Sequence, residues 1–102
     1  MINNPSSLTC KLTTPELLAR KQTVHAELKT LIVEKKKTNW GIKFRFEGSD
    51  RTIDTVSSFI KTERLCCDFF DFTITLSKDS VLWLELSGPE GTKAFLLHEL
   101  GL

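Results

Sequence analysis

The chain has no long hydrophobic run. No apolar stretch among its 102 residues approaches the ~20 needed to cross a bilayer as a helix, so no membrane partner is expected. Charge of one sign is also missing. Fourteen Lys and Arg stand against thirteen Asp and Glu, for a formal net charge of +1. No global field favours nucleic acid or a membrane surface. Cysteine is scarce and odd in number, three in all, which excludes a disulfide scaffold and favours reduced thiols. The first nine residues lack the apolar centre of a secretory leader, so a cytoplasmic location is expected. There is no CxxC pair, Ser-His-Asp order, phosphate-binding loop or zinc-hydrolase motif. What remains is a small globular composition, 40% apolar and 26% charged, long enough for one core and one domain.

The pattern along the chain places that domain at 10–102, after a polar arm at 1–9 that has little to bury and is expected to be flexible. A first helix is expected from Thr14, with Pro15 at its first position and Glu16 in its first turn. Leu17, Leu18, Val24, Leu28 and Leu31 share one side at helical spacing, with His25 at the edge of that stripe. A hairpin follows, its first arm over about Leu31 to Lys37 and its turn at Thr38-Asn39. In the second arm, Trp40 to Glu47, Ile42, Phe44 and Phe46 alternate with Lys43, Arg45 and Glu47. A second helix is expected from about Thr52 to Cys67. In the next hairpin Phe70, Phe72, Ile74 and Leu76 alternate with Asp71, Thr73 and Thr75. After a turn at Lys78-Asp79-Ser80, Leu82, Leu84 and Leu86 alternate with Trp83, Glu85 and Ser87. Gly88-Pro89-Glu90-Gly91 ends that strand and starts a last helix to about Leu100, capped by Ser87 or Gly88. The expected fold is α+β: a helix, then two β-hairpin-helix units, forming a four-stranded antiparallel sheet with helices on one face.

The pair Cys66-Cys67 is where chemistry would concentrate. On a helical wheel of ~100° per residue, Ile53, Val56, Phe59, Ile60 and Cys67 cluster on one side. Glu63 falls in the middle of the cluster and Cys66 on its flank. Glu63 precedes the two thiols by three and four residues, so the three groups are neighbours. A carboxylate on a core face is costly without a partner; the alternative is a helix that frays before Glu63 and turns it to water. The hairpin register brings this segment near Gly88 to Gly91 and the N-terminus of the last helix, which lowers a thiol pKa. Glu63, Asp68 and the segment's own helix C-terminus act the other way.

Three uses of the thiols compete. Cys66 and Cys67, joined by Cys10 and completed by Glu63 or a histidine, form a donor set for a soft metal ion, zinc or copper. Adjacent thiols on a regular helix diverge by ~100°, a limit that a helix end relaxes. Redox or sulfur-transfer chemistry is the second use, with Cys10 the better disulfide partner. The third is structural: free cysteines behave as small buried hydrophobes.

The run Glu63-Arg64-Leu65-Cys66-Cys67-Asp68-Phe69-Phe70-Asp71-Phe72 resembles the ER-x-CC-P-F-F-x-F signature of a small uncharacterised bacterial protein family. The run from Leu82 to Lys93 is similar to its LWL-x-L-x-GPEG-x-K signature. Cys10 ahead of Thr14-Pro15-Glu16 matches a third shared feature. The resemblance covers residues 10 to 100 and brings no activity. It implies that Cys10, Glu63, Arg64, Cys66, Cys67, Gly88, Glu90 and Gly91 belong to one recurring pattern. Asp68 departs from it, standing where the pattern has Pro and a sharper helix stop.

Other features carry less. Lys35-Lys36-Lys37 with Lys43 and Arg45 forms a basic hairpin that, with Trp40, suits a nucleic acid, but lysines also guard strand edges, and nucleic acid is not the favoured partner. His25 and His98 read as partly buried structural histidines. Trp83, on the sheet face without helices, points to a homodimer or another partner there. The leading expectation is thiol-based soft-metal binding or redox through Cys66-Cys67. The alternative is a non-catalytic interaction module with structural cysteines.

Overall fold

The computed structural model describes residues 14–67 and 69–98, the Cys66 side chain apart. Helix α1, Pro15–Leu31, begins as its sequence dictates. Thr14 is extended, and its hydroxyl accepts a hydrogen bond from the Leu17 N–H at 3.2 Å. That satisfies one of the amide donors left open at a helix start. Strands β1, Glu34–Lys37, and β2, Gly41–Glu47, form the first hairpin. Helix α2, Asp50–Cys66, is capped by Ser49, whose Oγ accepts from the Thr52 N–H. Strands β3, Asp71–Leu76, and β4, Val81–Ser87, form the second hairpin, and α3, Thr92–His98, follows.

The sheet order is β1-β2-β4-β3, antiparallel throughout. The second strands of the two hairpins pair at the centre, Phe44 opposite Leu84 and Phe46 opposite Leu82. The alternation read from sequence decides which side is buried. Ile42, Phe44, Phe46, Leu82, Leu84 and Leu86 join one core with Leu28, Val56, Phe59, Phe95 and Leu96 of the helices. The architecture is therefore α+β, with the helices packed on one face of a four-stranded sheet. Among the described residues no helix is long and apolar enough to cross a membrane.

Gly41 lies where β2 meets β4. A Cβ built there would stand 1.8 Å from the Leu86 carbonyl oxygen. Only a residue without a side chain lets the two backbones come this close.

Several boundaries depart from the sequence pattern. The last helix begins at Thr92 rather than beside Pro89. Gly91 takes a left-handed φ of 97°, which breaks the helical path. The Thr92 N–H and hydroxyl both donate to the Pro89 carbonyl, at 3.1 and 2.6 Å. The expected end at Leu100 lies outside the described residues. In α1, Leu18 is exposed, while His25, read as the edge of the stripe, is buried. The buried face of α2 is Thr52, Thr55, Val56, Phe59, Thr62 and Glu63, with Ile53 and Ile60 only partly covered.

Candidate functional site

Two helices build the site. Lys21 and His25 of α1 lie against Glu63 near the end of α2, whereas Glu27 meets Arg51 at the start of α2. Contacts that climb along one helix and descend along the other make the pair antiparallel. The beginning of α1 and the end of α2 thus share one end of the helix layer.

Glu63 is fully buried. The helix continues past it to Cys66 rather than fraying. Its Oε2 lies 2.5 Å from His25 Nε2, and its Oε1 lies 3.9 Å from Lys21 Nζ. With the carboxylate ionised, Nε2–H is the donor, which fixes the imidazole tautomer and leaves Nδ1 with the lone pair when the ring is neutral. The ring rests on Phe59, with centroids 5.2 Å apart. From Phe59 a series of edge contacts runs through Phe72 and Phe70 to Phe95. The polar pair is therefore anchored in the aromatic centre of the core. On its solvent side His25 lines a shallow depression of about 380 Å³ with Leu18, Lys21, Gln22, Ala26 and Lys29.

Cys67 is also fully buried. It lies one turn past Glu63, and its N–H donates to the Glu63 carbonyl at 2.7 Å. Its backbone has already left the helix, at φ −125° and ψ 92°. Cys66 is the last helical residue and Cys67 the first extended one. Cys67 borders a second depression with Arg64, Leu65, Phe70 and Phe72. Arg64 is exposed there.

The remaining members of the pattern are more scattered. Ser87 pairs with Asp71, and Gly88 sits so close to the Phe69 carbonyl that a Cβ would meet it at 2.8 Å. The end of β4 does lie beside the segment that follows the cysteines. Glu90 and Gly91, however, line a separate depression with Trp40 and Thr92, and Cys67 is not among its walls. Cys10 and the Cys66 side chain lie outside what is described. Among the described residues no group of three or more His, Cys, Asp and Glu side chains is gathered closely enough to hold a metal ion. On the outer face Trp83 is partly buried, with Lys43 Nζ 4.8 Å and Lys36 Nζ 5.5 Å from its ring. A cation over an aromatic face is attracted to it.

His25 is the residue that sequence reasoning left aside. Its signal was indirect: a carboxylate on the α2 core stripe demands a partner from the facing helix, and His25 is a proton-bearing residue on a face of α1. Comparison of the chain with protein-family models, curated proteins and solved structures finds no match.

Proposed function

We propose that the protein binds a soft metal ion, zinc or copper, through its thiols at the end of α2, where Lys21 and His25 of α1 lie against it. One observation carries this reading: the fully buried Glu63 is bonded to His25 one turn before a buried thiol, Cys67. A histidine that ligates a metal commonly gives its other ring N–H to a carboxylate, which sets its tautomer and raises its basicity. Glu63 and His25 have the carboxylate–imidazole half of that relation, which leaves Nδ1 as the ring nitrogen able to ligate. Cys67 supplies a thiolate from the opened helix end. Cys66 and Cys10 supply the rest, Cys10 being four residues before the cap of α1 in sequence. Thiolate and imidazole together suit zinc or copper over magnesium or calcium. The resemblance that groups Cys10 with Glu63 and the cysteine pair supports the same donor set. Burial of Cys67 favours metal binding over redox exchange, which needs access for an incoming sulfur.

The test is zinc retention by the reduced full chain after desalting, with free thiols counted before and after. Zinc is expected to bind and protect the thiols. Cys10→Ser and Cys67→Ser abolish retention, and Glu63→Gln weakens it by about 10–100-fold. No retained zinc, or retention indifferent to both serine variants, overturns the reading.

A further inference from the structure

The two edges of the sheet are built differently. On β1, Lys35 stands opposite Phe44 and Lys37 opposite Ile42, so both lysines lie at inward positions of the pleat. Inward charges on an edge strand deter pairing with another chain. On the other edge, β3 reads Asp71-Phe72-Thr73-Ile74-Thr75-Leu76, with neither lysine nor proline. Its inward residues Ile74 and Leu76 are 47% and 51% exposed, and Leu65 of α2, also exposed, shares a depression with the inward Phe72.

The hydrogen-bond phase of β3 follows from its hairpin. The Ser77 N–H donates to the Val81 carbonyl at 2.9 Å, so Ser77 and Val81 are a bonded pair. In an antiparallel ladder bonded pairs alternate. Thr75 with Trp83, Thr73 with Glu85 and Asp71 with Ser87 therefore bond inward to β4. Phe72, Ile74 and Leu76 aim their N–H and C=O groups at the side of β3 where no other described strand pairs.

We propose that the β3 edge binds a second copy of this chain, extending the sheet antiparallel across a two-fold axis at Ile74. In that register Ile74 meets Ile74 and Phe72 meets Leu76 in both directions. Every residue with edge-directed backbone groups faces another of the same kind. The exposed inward side chains of the two copies close over one another, and Thr73 pairs with Thr75 on the outer side, a favourable cross-strand pair. Charge fits as well: Asp71 at the start of one β3 lies beside Ser77-Lys78 at the end of the other. No like charges stand opposite along the paired segment. The occupant is a second copy because the edge is complementary to itself in backbone phase, side-chain type and terminal charge.

Sedimentation equilibrium of the full chain, with a chelator present so that metal plays no part, tests this. A monomer–dimer equilibrium is expected across the micromolar range. Ile74→Lys and Leu76→Lys each weaken it at least about tenfold by placing charge on the edge. Trp83→Ala leaves it unchanged. Hydrogen exchange of the unaltered chain gives a reading that needs no variant: the Phe72, Ile74 and Leu76 amides gain protection as concentration rises, while those of Thr73 and Thr75 are protected throughout. A monomer at every concentration, a dimer insensitive to both lysine variants, or uptake of an extended peptide by a chain that stays monomeric overturns the proposal.

Discussion

Glu63 has no route to water and is held by His25 and Lys21. Removing His25 takes a hydrogen-bonded partner from a fully buried carboxylate, although Lys21 stays 3.9 Å away. His25→Ala is therefore expected to destabilise the fold by about 3–5 kcal/mol, measured by urea unfolding. Replacing both partners with apolar residues of similar size, Glu63→Leu with His25→Phe, is expected to cost far less. The double variant separates folding from function, since it retains the fold and loses zinc. If it unfolds as readily as His25→Ala, the pair is not the source of the single variant's cost. Glu34 is a surface counterpart. Arg45 Nε–H donates to it at 3.0 Å and, with nearby Lys36, holds its carboxyl below the ordinary carboxylate value. A depressed folded pKa stabilises above the unfolded value, and that contribution is lost as pH falls through the folded pKa. Arg45→Ala should return the Glu34 titration, followed by NMR, to the ordinary range; an unchanged titration contradicts the assignment. At this scale the placement of Glu63 and Cys67 was legible, because a helical wheel needs only local spacing. The identity of the partner was not, because His25 is 38 residues away and two helices must pack before it arrives.

Elements succeed or fail on single backbone positions. Gly41→Ala drives a Cβ into the Leu86 carbonyl and must part β2 from β4. A loss of at least about 2 kcal/mol is expected, again by urea unfolding; a neutral substitution would show that the central strands are not so closely joined. Strand alternation made both hairpins readable, since each buried position repeats at every second residue. The last helix was misplaced because Pro89 is a good first-turn residue by type. The left-handed Gly91 and the Thr92 bonds to Pro89 override that preference. α2 was readable to its end from Val56, Phe59, Glu63 and Cys67 on one side of the wheel, but the buried stripe also takes Thr52, Thr55 and Thr62 and leaves Ile53 and Ile60 only partly covered. Thr62 satisfies its hydroxyl on the Ser58 carbonyl at 2.8 Å, which lets a polar residue sit on the core face.

At the scale of the molecule, the helix layer and sheet place two distinct surfaces. The end of α2, where Lys21 and His25 of α1 lie against it, holds the polar pair and Cys67, and the β3 edge holds exposed apolar side chains beside backbone groups that no other described strand pairs with. Sequence revealed four strands and a helix-covered face, but not that β2 and β4 pair at the centre, which decides which strands become edges. That order makes the difference between lysine-bearing β1 and bare β3 meaningful. The central claim is that thiols and an imidazole held by Glu63 bind a soft metal. The absorption spectrum of the reduced chain titrated with cobalt(II) tests it most directly, because a tetrahedral thiolate site gives intense visible bands and sulfur-to-metal charge transfer that an oxygen site lacks. The account predicts both features at one equivalent, with loss of the charge-transfer band in Cys67→Ser. A weak spectrum of hydrated cobalt, the same in the parent chain and the variant, would contradict it.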